Sequence, residues 1–186
     1  KIYKYDEAFN YSAINNWAVE RANGKYILFL NNDIEILSDN WLGIMHGHFC
    51  NPKTASVGCK LIYPDYRIQH GGVIIGIAGV ADHAFKFFPH DAPGYFYRSS
   101  VCGNYSACTA ACLISPKKLF IEAGGFNEKD LAVAYNDVDS ELKLIEKGYY
   151  NVYDPNVICI HYESISRGED LSQEQLKRVY SEINYI

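Results

Sequence analysis

At 186 residues, 48% hydrophobic and 15% aromatic, the chain carries enough apolar material for one buried core and fits a single domain spanning 1–186. A formal net charge of −5, without any run of Lys or Arg long enough to track a phosphate backbone, argues against nucleic acid as a partner. The longest apolar stretches, 26–30 and 73–80, fall far short of the roughly 20 residues that a membrane-crossing helix needs.

In chain order, Ile14, Trp17, Ala18 and Ala22 recur at helical spacing and predict a helix over 10–22, with Ser12 near its start and Gly24 as its stop. Tyr26–Leu30 reads as a buried central strand. Ser38 or Asp39 is placed to cap a second helix that presents Trp41, Met45, His48 and Phe49 on one face and ends before Asn51-Pro52. A strand over 54–63, a Gly-punctuated β segment over 73–80 and a long irregular excursion over 82–103 follow. A strand over 105–114 then leads to Ser115-Pro116, read as cap and first position of a short helix ending at Gly124-Gly125. A helix over 137–147, strands over 150–153 and 157–160, and an amphipathic helix over 171–183 complete the chain. Six cysteines at 50, 59, 102, 108, 112 and 159 form no CxxC pair, and they read as buried reduced thiols; their spacing points to neither a disulfide framework nor a zinc site.

Three polar clusters fall where an α/β sheet builds its ligand site. Asn31-Asn32-Asp33 leaves the carboxyl end of the first strand, and its oxygens suit a hard divalent cation that also holds phosphates; the same residues could instead serve the backbone of an ordinary strand-to-helix turn. Asn136-Asp137-Val138-Asp139 opens a helix, where two acids could cap it and complement its dipole, or where Asp137 could act as a general base. His161 ends a strand and could be a further ligand of an ion at Asp33, while Arg167 could meet a phosphate bidentately.

Eight blocks in order resemble glycosyltransferase family 2, the inverting nucleotide-sugar transferases. They are Phe9-Asn10-Tyr11-Ser12-Ala13-Ile14-Asn15-Asn16, Phe29-Leu30-Asn31-Asn32-Asp33, Lys60-Leu61-Ile62-Tyr63-Pro64-Asp65, Gln69-His70-Gly71-Gly72, Thr109-Ala110-Ala111-Cys112, Gly124-Gly125-Phe126-Asn127-Glu128, Asn136-Asp137-Val138-Asp139 and His161-Tyr162-Glu163-Ser164. The resemblance is to bacterial members that build surface polysaccharide, including the rhamnosyltransferase-like group. It implies an α/β fold of GT-A type, a Rossmann-like mixed sheet flanked by helices. Because the chain begins at Lys1, the resemblance also implies that the nucleobase-binding amino-terminal part of the catalytic domain is missing.

By the same resemblance, Asn31-Asn32-Asp33 occupies the DXD position with Asn31 in place of the first Asp, Asp33 and His161 are metal ligands, and Asp137 is the catalytic base, with Asn136 where many relatives carry an acid. Donor and substrate contacts are expected from Asn31, Asn32, Gln69, His70, Gly71, Gly72, Thr109, Ala110, Gly125, Asp139 and Arg167. The implied cofactor is Mn2+ or Mg2+. The implied partners are a UDP-, dTDP- or GDP-linked sugar donor and a glycan or lipid-linked acceptor, with a further domain in the full-length protein. The implied location is the cytoplasm, against the inner membrane face. Two other readings stay open: a nucleotidyltransferase acting on sugar phosphates, and a non-catalytic glycan-binding domain of the same fold.

Overall fold

The structure is a computed structural model and describes residues 1–163 and 172–186. Among the described residues, nine strands and five α-helices run in the order α1 (Tyr11–Arg21), β1 (Tyr26–Leu30), β2 (Ile34–Ile36), α2 (Trp41–Gly47), β3 (Thr54–Ile62), β4 (Ile68–His70), β5 (Val73–Ile75), β6 (Ala81–His83), β7 (Gly103–Tyr105), β8 (Cys112–Pro116), α3 (Lys117–Glu122), α4 (Asn136–Glu146), β9 (Tyr150–His161) and α5 (Gln173–Tyr185). The main sheet is ordered β1-β8-β3-β9-β2, with β4 added to β3 and β7 to β9. Among the described strands of this sheet β3 and β9 run parallel and the other pairs are antiparallel, so the sheet is mixed.

Helices cover both faces. On one side Phe29 of β1 meets Phe120 and Phe126 at ring-centroid separations of 5.1 and 5.0 Å, which ties α3 and the turn after it to the sheet. On the other, Met45 of α2 packs with Val57, Leu61, Ile114 and Val157. Tyr26–Leu30 is an edge strand rather than the expected central one: Ile27 and Phe29 are buried, whereas Leu28 and Leu30 are 36% and 43% exposed.

Several boundaries moved because tertiary partners overrode local signals. Asn10 caps α1 through its Oδ1, which accepts from the Ala13 N–H, while Ser12 donates to the Leu131 carbonyl instead. Ser38 bridges to β9, accepting from the Ile158 N–H and donating to the Asn156 carbonyl, and α2 starts after Asn40 in a left-handed conformation. Ser115 stays in β8 and donates to the Ala55 carbonyl. The segment expected as one strand over 105–114 is split between β7 and β8, while the two strands expected over 150–160 are a single strand, β9. Register within β9 jumps from Cys59↔Asp154 to Lys60↔Ile158, so Pro155 sits in a bulge where the ladder needs no N–H from it. The segment over 73–80 is one arm and the turn of a β5–β6 hairpin. Cys59, Cys108, Cys112 and Cys159 are buried free thiols as expected, but Cys50 and Cys102 are exposed. Leu171, the expected start of the last helix, lies outside the described residues.

A buried polar chain joins α4 to the sheet. Asn151 donates from Nδ2 to the Ser106 and Glu141 carbonyls, so its Oδ1 accepts the Ser56 hydroxyl proton. Ser56 then has no proton left for Glu141 Oε1, which therefore carries its own, while Oε2 accepts from the Cys108 N–H. Burial pushes the Glu141 carboxyl well above its usual range, in keeping with that proton. Its folded-state pKa exceeds the unfolded value, so its contribution is fully present below about pH 4.5 and declines as pH rises, by about 1.4 kcal/mol per unit until the folded pKa is passed. Glu141→Gln is expected to remove that decline and to be more stable than the wild type at pH 8; urea unfolding at pH 5 and pH 8 reads it.

Candidate active site

The carboxyl ends of β1 and β9, the segment entering β8, the end of β4 and the amino end of α4 converge on one cavity of about 500 Å³. Asn31 continues the β1–β8 ladder by donating its N–H to the Ala111 carbonyl at 2.9 Å, and this delivers Asn32 and Asp33 to the cavity mouth. His161 is the last residue of β9 and lies opposite Ile34 of β2, just past Asp33. Gln69, from β4, reaches it from the far side.

Hydrogen bonds fix the histidine tautomer. Gln69 Nε2 donates to Glu163 at 2.9 Å, which turns Gln69 Oε1 toward His161 and makes His161 Nδ1 the donor at 2.8 Å. In the neutral ring, Nε2 offers a lone pair that accepts from Asn31 Nδ2 at 3.4 Å, and it stands 3.2 Å from Asp33 Oδ1. The 3.2 Å separation is an ion-pair distance, yet Asp33 Oδ1 is a buried oxygen with no hydrogen-bond partner among the described residues. With the imidazole neutral, two lone pairs face each other over that distance, an arrangement that a cation would satisfy, and the glutamine that orients the imidazole is the kind of supporting contact that metal-bound histidines use. Carboxylate and imidazole suit Mn2+ or Mg2+, so Asp33 and His161 fit the ion, while Asn31 turns its Nδ2 to the ring and its Oδ1 to the Tyr11 hydroxyl. Charge points the same way: among the described residues, Asp33, Asp82, Asp137 and Glu163 line the cavity against one guanidinium, that of Arg178, itself paired with Glu182, and a diphosphate entering it needs added positive charge.

Asp137 lies one residue into α4, whose preceding Tyr135 is left-handed at φ 58°. Its Oδ2 accepts from the Ala110 N–H and its Oδ1 from the Val138 N–H, both at 2.9 Å. Two backbone donors and the helix amino end hold the carboxylate oriented into the cavity. Beside it stands His83. His70 Nε2 accepts from the Thr109 N–H, which makes His70 Nδ1 the donor to His83 Nδ1 at 2.8 Å. Burial pushes both imidazoles below their ordinary range, so the pair is neutral at pH 7 and His83 carries its proton on Nε2.

The structure thus brings Asn31, Asn32, Asp33, Gln69, Thr109, Ala110, Asp137 and His161 to one cavity. It does not bring His70, Gly71, Gly72, Gly125 or Asp139 to its lining. His70 is fully buried behind the wall, and Asp139 pairs with Lys143 at 2.5 Å. Gly125, at φ +68°, sits in a turn clasped by Asn16, whose side chain bonds the Phe126 N–H and carbonyl. At Gly72 the backbone has φ +91°, and a Cβ would meet the Tyr105 ring at 2.3 Å. Gly72→Ala is therefore expected to cost about 3 kcal/mol or more through left-handed strain and overpacking, read as a drop in thermal midpoint. Asn136 is buried and donates to the Val133 carbonyl. Arg167 lies outside the described residues. Sequence reasoning did not name Tyr11, Glu163 or Arg178 as cavity residues, and it placed the loop that holds Asp82 and His83 toward the acceptor without naming either. Asp82 and His83 fall in the 82–103 excursion but carry no motif, and Arg178 arrives from the last helix.

No family model matches the chain. It is 43% identical over 178 residues to the uncharacterized protein y4gI of Sinorhizobium fredii, covering 96% of this chain and 20% of that protein. It is 37% identical over 171 residues to the O-antigen biosynthesis protein RfbC of Myxococcus xanthus, covering 91% of this chain and 13% of that protein. The chain thus spans a fifth or less of the length of these curated relatives. Among solved structures, GalNAc-T7 with UDP, GalNAc and Mn2+ superposes at a TM-score of 0.69 and 12% identity, over 96% of this chain and 36% of that one. The mannosyltransferase PcManGT from Pyrobaculum calidifontis, in complex with GDP-Man and Mn2+, superposes at 0.58 and 16%, over 88% and 39%. The chain has the GT-A glycosyltransferase fold, and in sequence it is similar to part of an O-antigen biosynthesis protein.

Proposed function

We propose that the chain is the catalytic part of a metal-dependent, inverting glycosyltransferase of family 2. It moves a sugar from a UDP-, dTDP- or GDP-linked donor to a hydroxyl of a glycan or lipid-linked acceptor during surface-polysaccharide synthesis. The observation that carries this reading is Asp33 Oδ1, buried and without a hydrogen bond among the described residues, facing His161 Nε2 at 3.2 Å in the same cavity as Asp137. The sequence similarity to RfbC and the Mn2+ in both similar structures support it.

Asp33 and His161 would hold the ion, which supplies positive charge against the growing negative charge of the leaving diphosphate. Arg178 adds a cation to the same wall. Asp137 accepts the acceptor hydroxyl proton as that oxygen attacks the anomeric carbon, and the carbon–phosphate-oxygen bond breaks with its electron pair leaving on the nucleoside diphosphate. One displacement inverts the anomeric centre, and Asp137 later returns its proton to solvent. No helix among the described residues is long and apolar enough to cross a membrane. We place the reaction in the cytoplasm, at the inner membrane face where a lipid-linked acceptor would present its sugar.

The test is a panel of nucleotide sugars with Mn2+ and glycan or lipid-linked acceptors. Metal-dependent release of nucleoside diphosphate with a product of inverted configuration is expected. Pyrophosphate release from a nucleoside triphosphate and a sugar phosphate would make the protein a nucleotidyltransferase instead. Glycan binding without donor turnover would make it a binding module.

A further inference from the structure

A second cluster of ligating side chains lies seven residues upstream of His161 on β9, roughly 20 Å away along the strand. Register sets it up: β7 pairs with β9 through Gly103↔Tyr153, which places Cys102 across from Asp154 at the β9 bulge. His48 comes from the turn that follows α2. Its Nε2 is 2.7 Å from Asp154 Oδ2. The His48 nitrogen, the Cys102 sulfur and an Asp154 oxygen all lie within 4.8 Å of one another.

We propose that His48, Cys102 and Asp154 form a zinc site with its fourth position open to solvent, separate from the cavity at Asp33. Three features carry this. Asp154 is 1% exposed, and its Oδ1 is occupied by the Asn156 N–H and Nδ2 at 2.9 and 2.8 Å. The carboxylate is thereby locked with Oδ2 aimed at the other two ligands, the supporting contact that orients a single-oxygen metal ligand. Next, the charges balance: one carboxylate and one thiolate neutralise a divalent ion, which removes the main cost of placing it beside a buried acid. Finally, nitrogen, sulfur and oxygen donors together select zinc over the harder Mn2+ of the oxygen-rich cavity. Tetrahedral zinc needs these atoms roughly 3.3 Å apart or more, so the His48–Asp154 contact opens by about half an ångström.

Without the ion, burial and the Asp154 charge raise the Cys102 thiol to about 11, and the protonated thiol bonds to that carboxylate. Binding replaces two protons: the thiol proton leaves to solvent, and the His48 Nε2 proton passes to Nδ1, so one proton is released per ion for a neutral imidazole. By contrast, the Cys59, Cys112 and Cys159 sulfurs, which also lie together, are wholly enclosed in the core with no carboxylate among them.

The test is titration of metal-free, reduced protein with Co2+ as a spectroscopic substitute. A sulfur-to-cobalt charge-transfer band that saturates at one equivalent is expected, reversed by Zn2+, unchanged in Asp33→Ala, and lost in both Cys102→Ser and His48→Gln with far-UV circular dichroism intact. Asn156→Ala is expected to weaken binding roughly 10–100-fold. Absence of the band, its appearance only at millimolar Co2+, or its survival in Cys102→Ser would overturn the proposal.

Discussion

Asp137→Asn is expected to lower sugar transfer by about 10²–10⁴-fold, the range that a positioned general base contributes. The substitution is nearly isosteric. Its amide oxygen can accept from only one of the Ala110 and Val138 N–H groups and its Nδ2 faces the other donor, a local stability cost of about 1–3 kcal/mol that leaves Asp33 and His161 untouched. Donor affinity should therefore change little, and the loss should fall on kcat rather than KM. The fall in rate would have to persist under saturating donor and acceptor. Full activity in Asp137→Asn would assign proton removal to another group.

Asp33→Ala is expected to abolish metal-dependent donor binding, with Mn2+ affinity lowered by about 100-fold or more. The same change removes a buried Oδ1 that makes no hydrogen bond among the described residues, so the thermal midpoint of the metal-free protein should hold or rise. That split, lost binding without lost stability, separates a metal ligand from a structural acid. Gln69→Leu leaves Asp33 and His161 in place but removes the acceptor that fixes the imidazole, and a weakening of roughly 10–100-fold is expected there. Both variants are read by calorimetric titration with Mn2+.

The parts of this site legible in the sequence were those whose position follows from local structure. An apolar strand followed by Asn31-Asn32-Asp33, a helix opened by Asp137 and a strand closed by His161 each put a polar group at a sheet end before any tertiary contact is known. What connects them was not legible. That Gln69 fixes the His161 tautomer, and that Ala110 holds Asp137, depends on how β4, β8 and β9 register in the sheet. Tertiary demands also redirected residues with strong local signals: Ser12, Ser38 and Ser115 look like caps but bond to distant carbonyls. Glycines 71, 72 and 125, assigned to substrate by their motifs, sit outside the cavity lining. Gly72 lies where the Tyr105 ring leaves no room for a Cβ, and Gly125 in a turn clasped by Asn16. The His48–Cys102–Asp154 group spans more than a hundred residues, so no spacing rule could find it, and the zinc reading that the cysteine pattern argued against arises only in three dimensions.

The most direct test of the central claim is calorimetric titration of the chain with UDP, dTDP and GDP sugars, with and without Mn2+, beside Asp33→Ala. Saturable binding of one nucleotide class that requires Mn2+ and disappears in Asp33→Ala is the predicted result. Binding of equal strength without metal, or undiminished in Asp33→Ala, would contradict a donor site built on Asp33 and His161.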